Sequence, residues 1–178
     1  MEGGARIRLF CALRLPDGVV DAIVAWQTGH LPAGRLVPRG NVHVTLAFLG
    51  HRPATELPAV ARELVEAAAG AAPIRLRARR YRETRSVGMI ELDDIGGAGA
   101  ELAEDLGLRL ERIGVYRREE RAWLPHLTVI RFRERPRLSP PPPDLGEVSP
   151  SDAAVYSSVL RPGGALYEPL EIAALGGW

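Results

Sequence analysis

The sequence contains no lysine and only one cysteine among its 178 residues, so all 23 basic residues are arginine. Without lysine the chain cannot form a P-loop, which excludes nucleoside triphosphate hydrolysis by that motif, although glycines precede a helical segment near residue 97. A single cysteine, Cys11, excludes an intramolecular disulfide and favours a reduced compartment. Cys11 lies within an apolar run, where a buried and unreactive thiol is expected.

Long apolar runs are also missing. None approaches the roughly 20 residues that span a bilayer, and the opening MEGGARIRLF lacks the long apolar core of a signal peptide. The net charge of +1 gives no indication of a nucleic-acid partner. We therefore expect a cytoplasmic monomer without membrane contact, in which residues 1–178 form a single two-lobed domain.

Hydrophobic periodicity and turn residues divide the chain into an alternation of strands and helices. Each half contains strand and helix segments and one strand with the motif H-x-T, which suggests two similar halves. We predict an α+β fold with two antiparallel sheets facing each other and helices outside. Residues 140–143 are all proline and should be extended. The predicted strands are 7–16, 42–49, 73–83, 86–92, 126–133 and a closing hairpin over 154–175; the predicted helices are 17–27, 55–69 and 96–114.

The doubled H-x-T motif is the most informative feature of the sequence. Four histidines and five threonines in this length predict about 0.1 such pairs by chance, yet two occur. Strand alternation places His43 and Thr45 on one face, and likewise His126 and Thr128, with apolar residues packing behind them. The other histidines, His30 and His51, lie in loop-like sequence and are interpreted as surface residues.

Two imidazoles and two hydroxyls suit in-line attack at phosphorus. One imidazole can accept a proton from the attacking oxygen while the other gives one to the departing oxygen. Threonine hydroxyls can donate hydrogen bonds to the non-bridging oxygens. The two imidazoles should then lie roughly 6 to 8 Å apart, on opposite sides of the phosphorus. Purely structural histidines and a metal site are the other interpretations, but two histidines without cysteine or a neighbouring carboxylate fall short of a usual ligand set.

The chain resembles the two-histidine phosphoesterases, and among them the bacterial and archaeal RNA 2',3'-cyclic phosphodiesterases historically called 2'-5' RNA ligases. The likeness extends over RLFCALRLP, VPRGNVHVTLAFLG, LPHLTVIRF and VYSSVLRPGGALYEPL. It implies a bilobal α+β fold and hydrolysis of a 2',3'-cyclic phosphate to a 2'-phosphate without metal or other cofactor. His43 would then be the proton donor and His126 the proton acceptor, with Thr45 and Thr128 holding the phosphate.

The resemblance also implies that Arg131, three places after the second motif threonine, contacts the phosphate. Strict alternation from Thr128 would point Arg131 to the opposite face, so this role requires a bend or the end of the strand. The alternating arginines at 75, 77 and 79 and at 131, 133, 135 and 137 would form basic faces if their segments are strands. Aromatic residues able to stack a base are few, and Phe10 and Phe48 are expected in the core.

The substrates implied are RNA ends or small cyclic nucleotides. Two alternatives remain open. The same site could ligate or cleave 2'-5' phosphodiesters, or the chain could be a non-catalytic RNA-binding module that uses the cleft and its arginines. The second alternative predicts salt-sensitive RNA binding that survives loss of either histidine.

Overall fold

The computed structural model describes residues 4–176. Within this range the chain forms two four-stranded antiparallel sheets and three α-helices, so the predicted α+β fold with two antiparallel sheets is confirmed. No helix in the described range is long and apolar enough to cross a membrane. The elements are β1 (Arg6–Arg14), α1 (Asp17–His30), β2 (Val44–Pro53), α2 (Leu57–Ala69), β3 (Leu76–Glu83), β4 (Val87–Asp94), α3 (Ala98–Arg112), β5 (His126–Arg131), β6 (Glu147–Val148), β7 (Asp152–Arg161) and β8 (Gly164–Ala174).

The strand order places the two motif strands at sheet edges. The first sheet has the order β2-β1-β7-β8 and the second β5-β4-β3-β6. The β7–β8 hairpin and the β3–β4 hairpin both pair antiparallel, as the short turns in the sequence predict. Hence the motif strands β2 and β5 are each the outermost strand of their sheet, and they contact each other where the sheets adjoin.

One apolar cluster extends through both sheets. It includes fully buried side chains of the first sheet, such as Leu13 and Val44, and of the second, such as Ile90 and Leu127. Cys11 is buried in the same cluster, and burial raises the pKa of its thiol to about 12, so it stays protonated at neutral pH. The predicted unreactive cysteine therefore agrees with the structure.

Helices α1 and α3 each follow a strand of one sheet and pack against the other. Helix α2 packs against β7 and β8, and α3 against β2, so both cover the first sheet. Helix α1 follows a strand of the first sheet but reaches the second, where Gln27 bonds to β5 and the Trp26 ring lies 6.2 Å from that of Tyr81. Trp26 also donates a hydrogen bond from Nε1 to the carbonyl of Pro141, which fixes the extended proline segment over the helix. This exchange helps to hold the two sheets in a fixed relation.

Candidate active site

The edge strands β2 and β5 bring the two H-x-T motifs together. The indole nitrogen of Trp123, three residues before β5, donates a 3.0 Å hydrogen bond to the carbonyl oxygen of Thr45 in β2. The apolar faces of both strands are buried, including Val44 in β2 and Val129 in β5. The alternation predicted for the motifs is therefore present, with the histidine and threonine of each strand turned away from the core.

His43 lies just before β2 and is held at both ring nitrogens. Its Nδ1–H donates to the carbonyl oxygen of Asn41 at 2.8 Å, and since a carbonyl can only accept, this bond fixes the proton on Nδ1. Nε2 lies 2.9 Å from Oγ1 of Thr45. The rings of Phe10 and Tyr167 lie 4.8 and 5.4 Å from the imidazole, measured between centroids. His43 is thus an oriented imidazole in a largely apolar wall.

This apolar wall changes the basicity of His43. Burial is the main reason that its pKa falls from 6.5 to about 4. The hydrogen bond to Asn41 opposes that decrease, while the charges of His126 and Arg131 add to it. In the free protein the imidazole is therefore neutral near pH 7, and the second motif is close enough to act on it electrostatically.

His126 repeats the arrangement in the second half. It is the first residue of β5, and its Nδ1 lies 2.9 Å from the carbonyl oxygen of Leu124, again two residues earlier in the chain. This bond places the proton on Nδ1 and leaves Nε2 free to accept one. Both histidines therefore bond to a backbone carbonyl in the same way, although His43 is enclosed by aromatic rings and His126 is only partly buried.

A β-bulge in β5 brings Arg131 to the face of the motif. Met89 pairs with Thr128 and Gly88 with Ile130, so Val129 is an extra residue on the β5 side. An extra residue reverses the alternation beyond it. Arg131 therefore lies on the same face as Thr128, and both line one cavity. The bulge supplies the bend that the predicted phosphate contact of Arg131 requires.

A side chain of helix α1 stabilises the bulge through hydrogen bonds. The carbonyl oxygen of Val129 accepts hydrogen bonds from the backbone N–H of Val37 at 3.0 Å and from Nε2 of Gln27 at 2.7 Å. Gln27 is 2% exposed, and its amide also donates to the carbonyl of Val37. Sequence periodicity gives no reason to single out Gln27, because its partners lie far away in the chain.

The same irregularity occurs after the first motif and corrects one prediction. Thr45 pairs with Ala12 and Ala47 with Cys11, which leaves Leu46 as the extra residue. Phe48 consequently turns to the face of Thr45 and is 49% exposed. The prediction that Phe48 fills the core is wrong for this reason, whereas Phe10, at 3% exposed, is buried as expected.

The two motif strands border a cavity of about 150 Å³. Four of the five residues singled out in the sequence line it, and His126 is not among its lining residues, although it lies two places before Thr128 on the same strand. Arg8 lies with its guanidinium carbon 4.9 Å from the centre of the Phe48 ring. The lining residues are Arg8, Phe10, His43, Thr45, Phe48, Thr128, Arg131, Ser158 and Tyr167.

The predicted arginine stripes do not form as expected. Strand β5 ends at Arg131, so the arginines at 133, 135 and 137 follow it in a loop. Arg135 instead bonds to Glu83, whose carboxylate also accepts the backbone N–H groups of Arg137 and Leu138. Arg75 is paired with Glu147. The histidines at 30 and 51 are exposed, as predicted, but they lie in α1 and β2 rather than in loops.

Sequence similarity places the chain in a known family. The model of the LigT-like phosphoesterases matches residues 13–86. The RNA 2',3'-cyclic phosphodiesterase of Thermus thermophilus is 33% identical over 96% of this chain and 91% of its own length. This chain belongs to the LigT-like phosphoesterase family. The RNA 2',3'-cyclic phosphodiesterase of Escherichia coli K12 is 29% identical over 94% of this chain and 96% of its own.

Solved structures agree with the assignment to the LigT-like phosphoesterases. A crystal structure from Thermus thermophilus superposes with a TM-score of 0.84 at 30% identity, covering 97% of this chain and all of the other. Escherichia coli LigT complexed with 3'-AMP superposes with a TM-score of 0.82 at 26% identity, covering 97% and 99%. The resemblance stated from the motifs, to the two-histidine phosphoesterases, is confirmed.

Proposed function

We propose that this LigT-like phosphoesterase hydrolyses the 2',3'-cyclic phosphate at an RNA end or on a nucleoside, and leaves a 2'-phosphomonoester. The observation that carries the proposal is the paired imidazole arrangement. Each imidazole has its Nδ1–H fixed to a backbone carbonyl two residues earlier, and the two motif strands adjoin one polar cavity. Several relatives that align with this chain over nearly their whole length are named RNA 2',3'-cyclic phosphodiesterases, and these names support the same proposal.

In the proposed reaction His126 takes a proton from water through its free Nε2. The water oxygen then forms a bond to phosphorus as the bond from phosphorus to O3' breaks. His43, protonated on Nε2 in the complex, gives that proton to O3', so the product carries a 2'-phosphate and a 3'-hydroxyl. No other reactant is needed, and each proton has a named donor and acceptor.

Thr45 changes its role with the protonation of His43. With neutral His43, the Thr45 hydroxyl donates its proton to Nε2 at 2.9 Å. Once Nε2 carries a proton, that hydroxyl is released to donate to a non-bridging phosphate oxygen. Thr128 and Arg131 approach from the other strand, where the hydroxyl can donate a hydrogen bond and the guanidinium can neutralise charge that grows on the same oxygens.

Phe48 offers a platform for the base. Its ring is half exposed at the cavity, and one position beside it is occupied by the guanidinium of Arg8. Stacking of a base on an aromatic side chain tolerates any base identity. We therefore expect weak base preference in this enzyme.

The direct test is an assay with nucleoside 2',3'-cyclic phosphates and identification of the product isomer by ³¹P NMR. We expect only the 2'-phosphate, and the same rate with EDTA present, because the proposed chemistry needs no metal. A 3'-phosphate product, or loss of activity in EDTA with recovery on adding a divalent cation, would contradict the mechanism. Adding RNA with a 5'-hydroxyl tests 2'-5' ligation in the same mixture.

The pH dependence follows from the enclosure of His43. Since burial lowers its pKa to about 4, the free protein holds it neutral at pH 7, whereas the proposed donor must be protonated in the complex. An anion in the cavity favours the charged form, so substrate binding should draw a proton onto His43. We expect sulfate, a simple phosphate analogue, to raise the pKa of His43 by at least about one unit.

This can be measured by NMR titration, because the chain has only four histidines and substitutions assign each signal. The exposed His51, in β2 but outside the cavity lining, is the internal control. A His43 signal that titrates near 6.5 in the free protein would refute the effect of burial. A signal near pH 4 that ignores sulfate would refute its role as donor.

A further inference from the structure

A buried carboxylate lies between two arginines on the face of the second sheet that carries His126. Glu91 in β4 pairs with His126, and the neighbouring Met89 pairs with Thr128. On its other side β4 pairs with β3, where Arg80 is opposite Glu91 and Arg82 is opposite Met89. Directly paired residues of antiparallel strands project from the same face. Both arginines therefore share the face of the second motif.

The arrangement of these three side chains is specific. Glu91 is 3% exposed. Its Oε2 accepts a hydrogen bond from Nε of Arg80 at 2.6 Å, and its Oε1 forms an ion pair with Nε of Arg82 at 2.5 Å. The arginine side chains themselves are 58% and 42% exposed. A third β-bulge, at Arg79, puts both arginines on this face, because the register shifts between Ala78 and Arg80.

This cluster is built to present positive charge. Two guanidinium groups share one carboxylate, which leaves a net charge of +1. Each directs its Nε toward Glu91. Nη2 of Arg82 also approaches Sδ of Met89 at 3.9 Å, and its Nη1 and both terminal nitrogens of Arg80 are directed to no other acceptor within the described residues. Because the buried carboxylate already orients the guanidinium groups, less side-chain entropy is lost when they bind an anion. Arginine forks of this kind match the geometry of a phosphodiester.

The distance of the arginine cluster from the motif strand β5 suits contact with an RNA chain whose end lies in the cavity. Adjacent strands lie about 4.8 Å apart, so β3 lies about 10 Å from β5 across the sheet. A 2',3'-cyclic phosphate occurs at the 3' end of RNA, and the rest of the chain must leave the cavity from the 5' side of the terminal ribose. With the base on Phe48 in the first sheet, the open face of the second sheet is available to the backbone.

We propose that Arg80 and Arg82, oriented by Glu91, bind the phosphodiester backbone of an RNA chain on the 5' side of its cyclic end. This inference rests on the proposed function and deepens it, since it makes an oligonucleotide end, rather than a free cyclic nucleotide, the preferred substrate. The site lies beyond the catalytic pair and takes no part in the chemical step.

The test compares two substrates in one set of variants: a nucleoside 2',3'-cyclic phosphate, and an oligoribonucleotide of about eight residues with the same cyclic end. The main variant replaces Arg80, Arg82 and Glu91 with glutamine, which avoids an unpaired buried carboxylate and lowers the net charge by one. Arg80→Gln alone keeps the pair between Arg82 and Glu91 and serves if the triple variant unfolds. Arg118→Gln removes one charge from a residue packed on α3 and is the matched control.

We expect the triple variant to lose about tenfold in kcat/KM for the oligonucleotide and less than about twofold for the nucleoside, and to show a salt dependence weaker by about one in slope. Arg80→Gln should show part of this loss in kcat/KM for the oligonucleotide, and the control Arg118→Gln should show none. Equal losses on both substrates, or no loss on either, would overturn the inference. Anisotropy with an uncleavable 3'-phosphorylated oligonucleotide measures the same site without turnover, so failure of the proposed hydrolysis remains distinguishable from failure of this site.

Discussion

Replacing either His43 or His126 with alanine should slow hydrolysis of the cyclic phosphate by about 10² to 10⁴-fold. Each imidazole has a separate proton to move, so neither can replace the other. The fold should persist, because both histidines are only partly buried and neither belongs to the apolar core clusters. Steady-state kinetics and thermal unfolding of each variant check both statements.

His51→Ala is the matched control, since His51 is exposed in the same strand β2 and lies outside the cavity lining. Rates close to wild type in either motif variant would remove that histidine from the mechanism. The two roles can also be separated. A diester with a nitrophenolate leaving group needs no proton on departure, so it should restore much of the rate to His43→Ala and none to His126→Ala. The reverse pattern would exchange the two assignments.

Arg131→Ala should reduce kcat by about 10² to 10³-fold, in the range found when a donor to a developing oxyanion is removed. Arg131 is the cationic member of the cavity wall contributed by β5, and it lies on the face of Thr128 because of the bulge at Val129. Arg131→Lys should recover only a small part of the loss, since an ammonium group cannot reproduce a two-pronged contact with phosphate.

Arg133→Ala tests whether general positive charge explains the effect. Arg133 is exposed, lies two places beyond Arg131 and follows the end of β5. Its loss should leave kcat within about twofold. If Arg133→Ala and Arg131→Ala lower the rate equally, long-range attraction of the substrate would explain the result, and a direct contact from Arg131 to phosphate would be refuted. Repeating both at high salt separates the two effects, because salt screens only the long-range one.

The sequence is sufficient to predict the three helices and every strand except the two-residue β6, including both motif strands. Strands and helices follow from periodicity of two and of 3.6 residues, which is a local property of the chain. Val44 and Leu127 are buried as alternation requires, and the motif histidines project away from them. The turns between elements can also be predicted from local sequence, because proline and glycine occur at most of them.

Two departures depend on how strands pair. Phe48, expected in the core, turns outward after the extra residue Leu46, and β5 ends at Arg131 rather than at the predicted residue 133, so the arginines beyond it leave the sheet. A bulge is defined by the register of two paired strands, so a single strand's sequence does not contain it. The same holds for Gln27, whose role depends on a carbonyl in β5.

The segment before the first motif connects the two halves of the site. Residues Arg35 to Val37 run beside β5: the carbonyl of Arg35 accepts the N–H of Arg131, and Leu36 forms a bridge with Ile130. Six residues beyond Val37 the same stretch delivers His43. In the proposed mechanism, the length of the span between Val37 and His43 sets how far His43 stands from β5 and therefore the space left for the phosphate. Insertions or deletions there would alter both half-sites together, which makes this span the natural place to adjust the enzyme to bulkier or smaller ends.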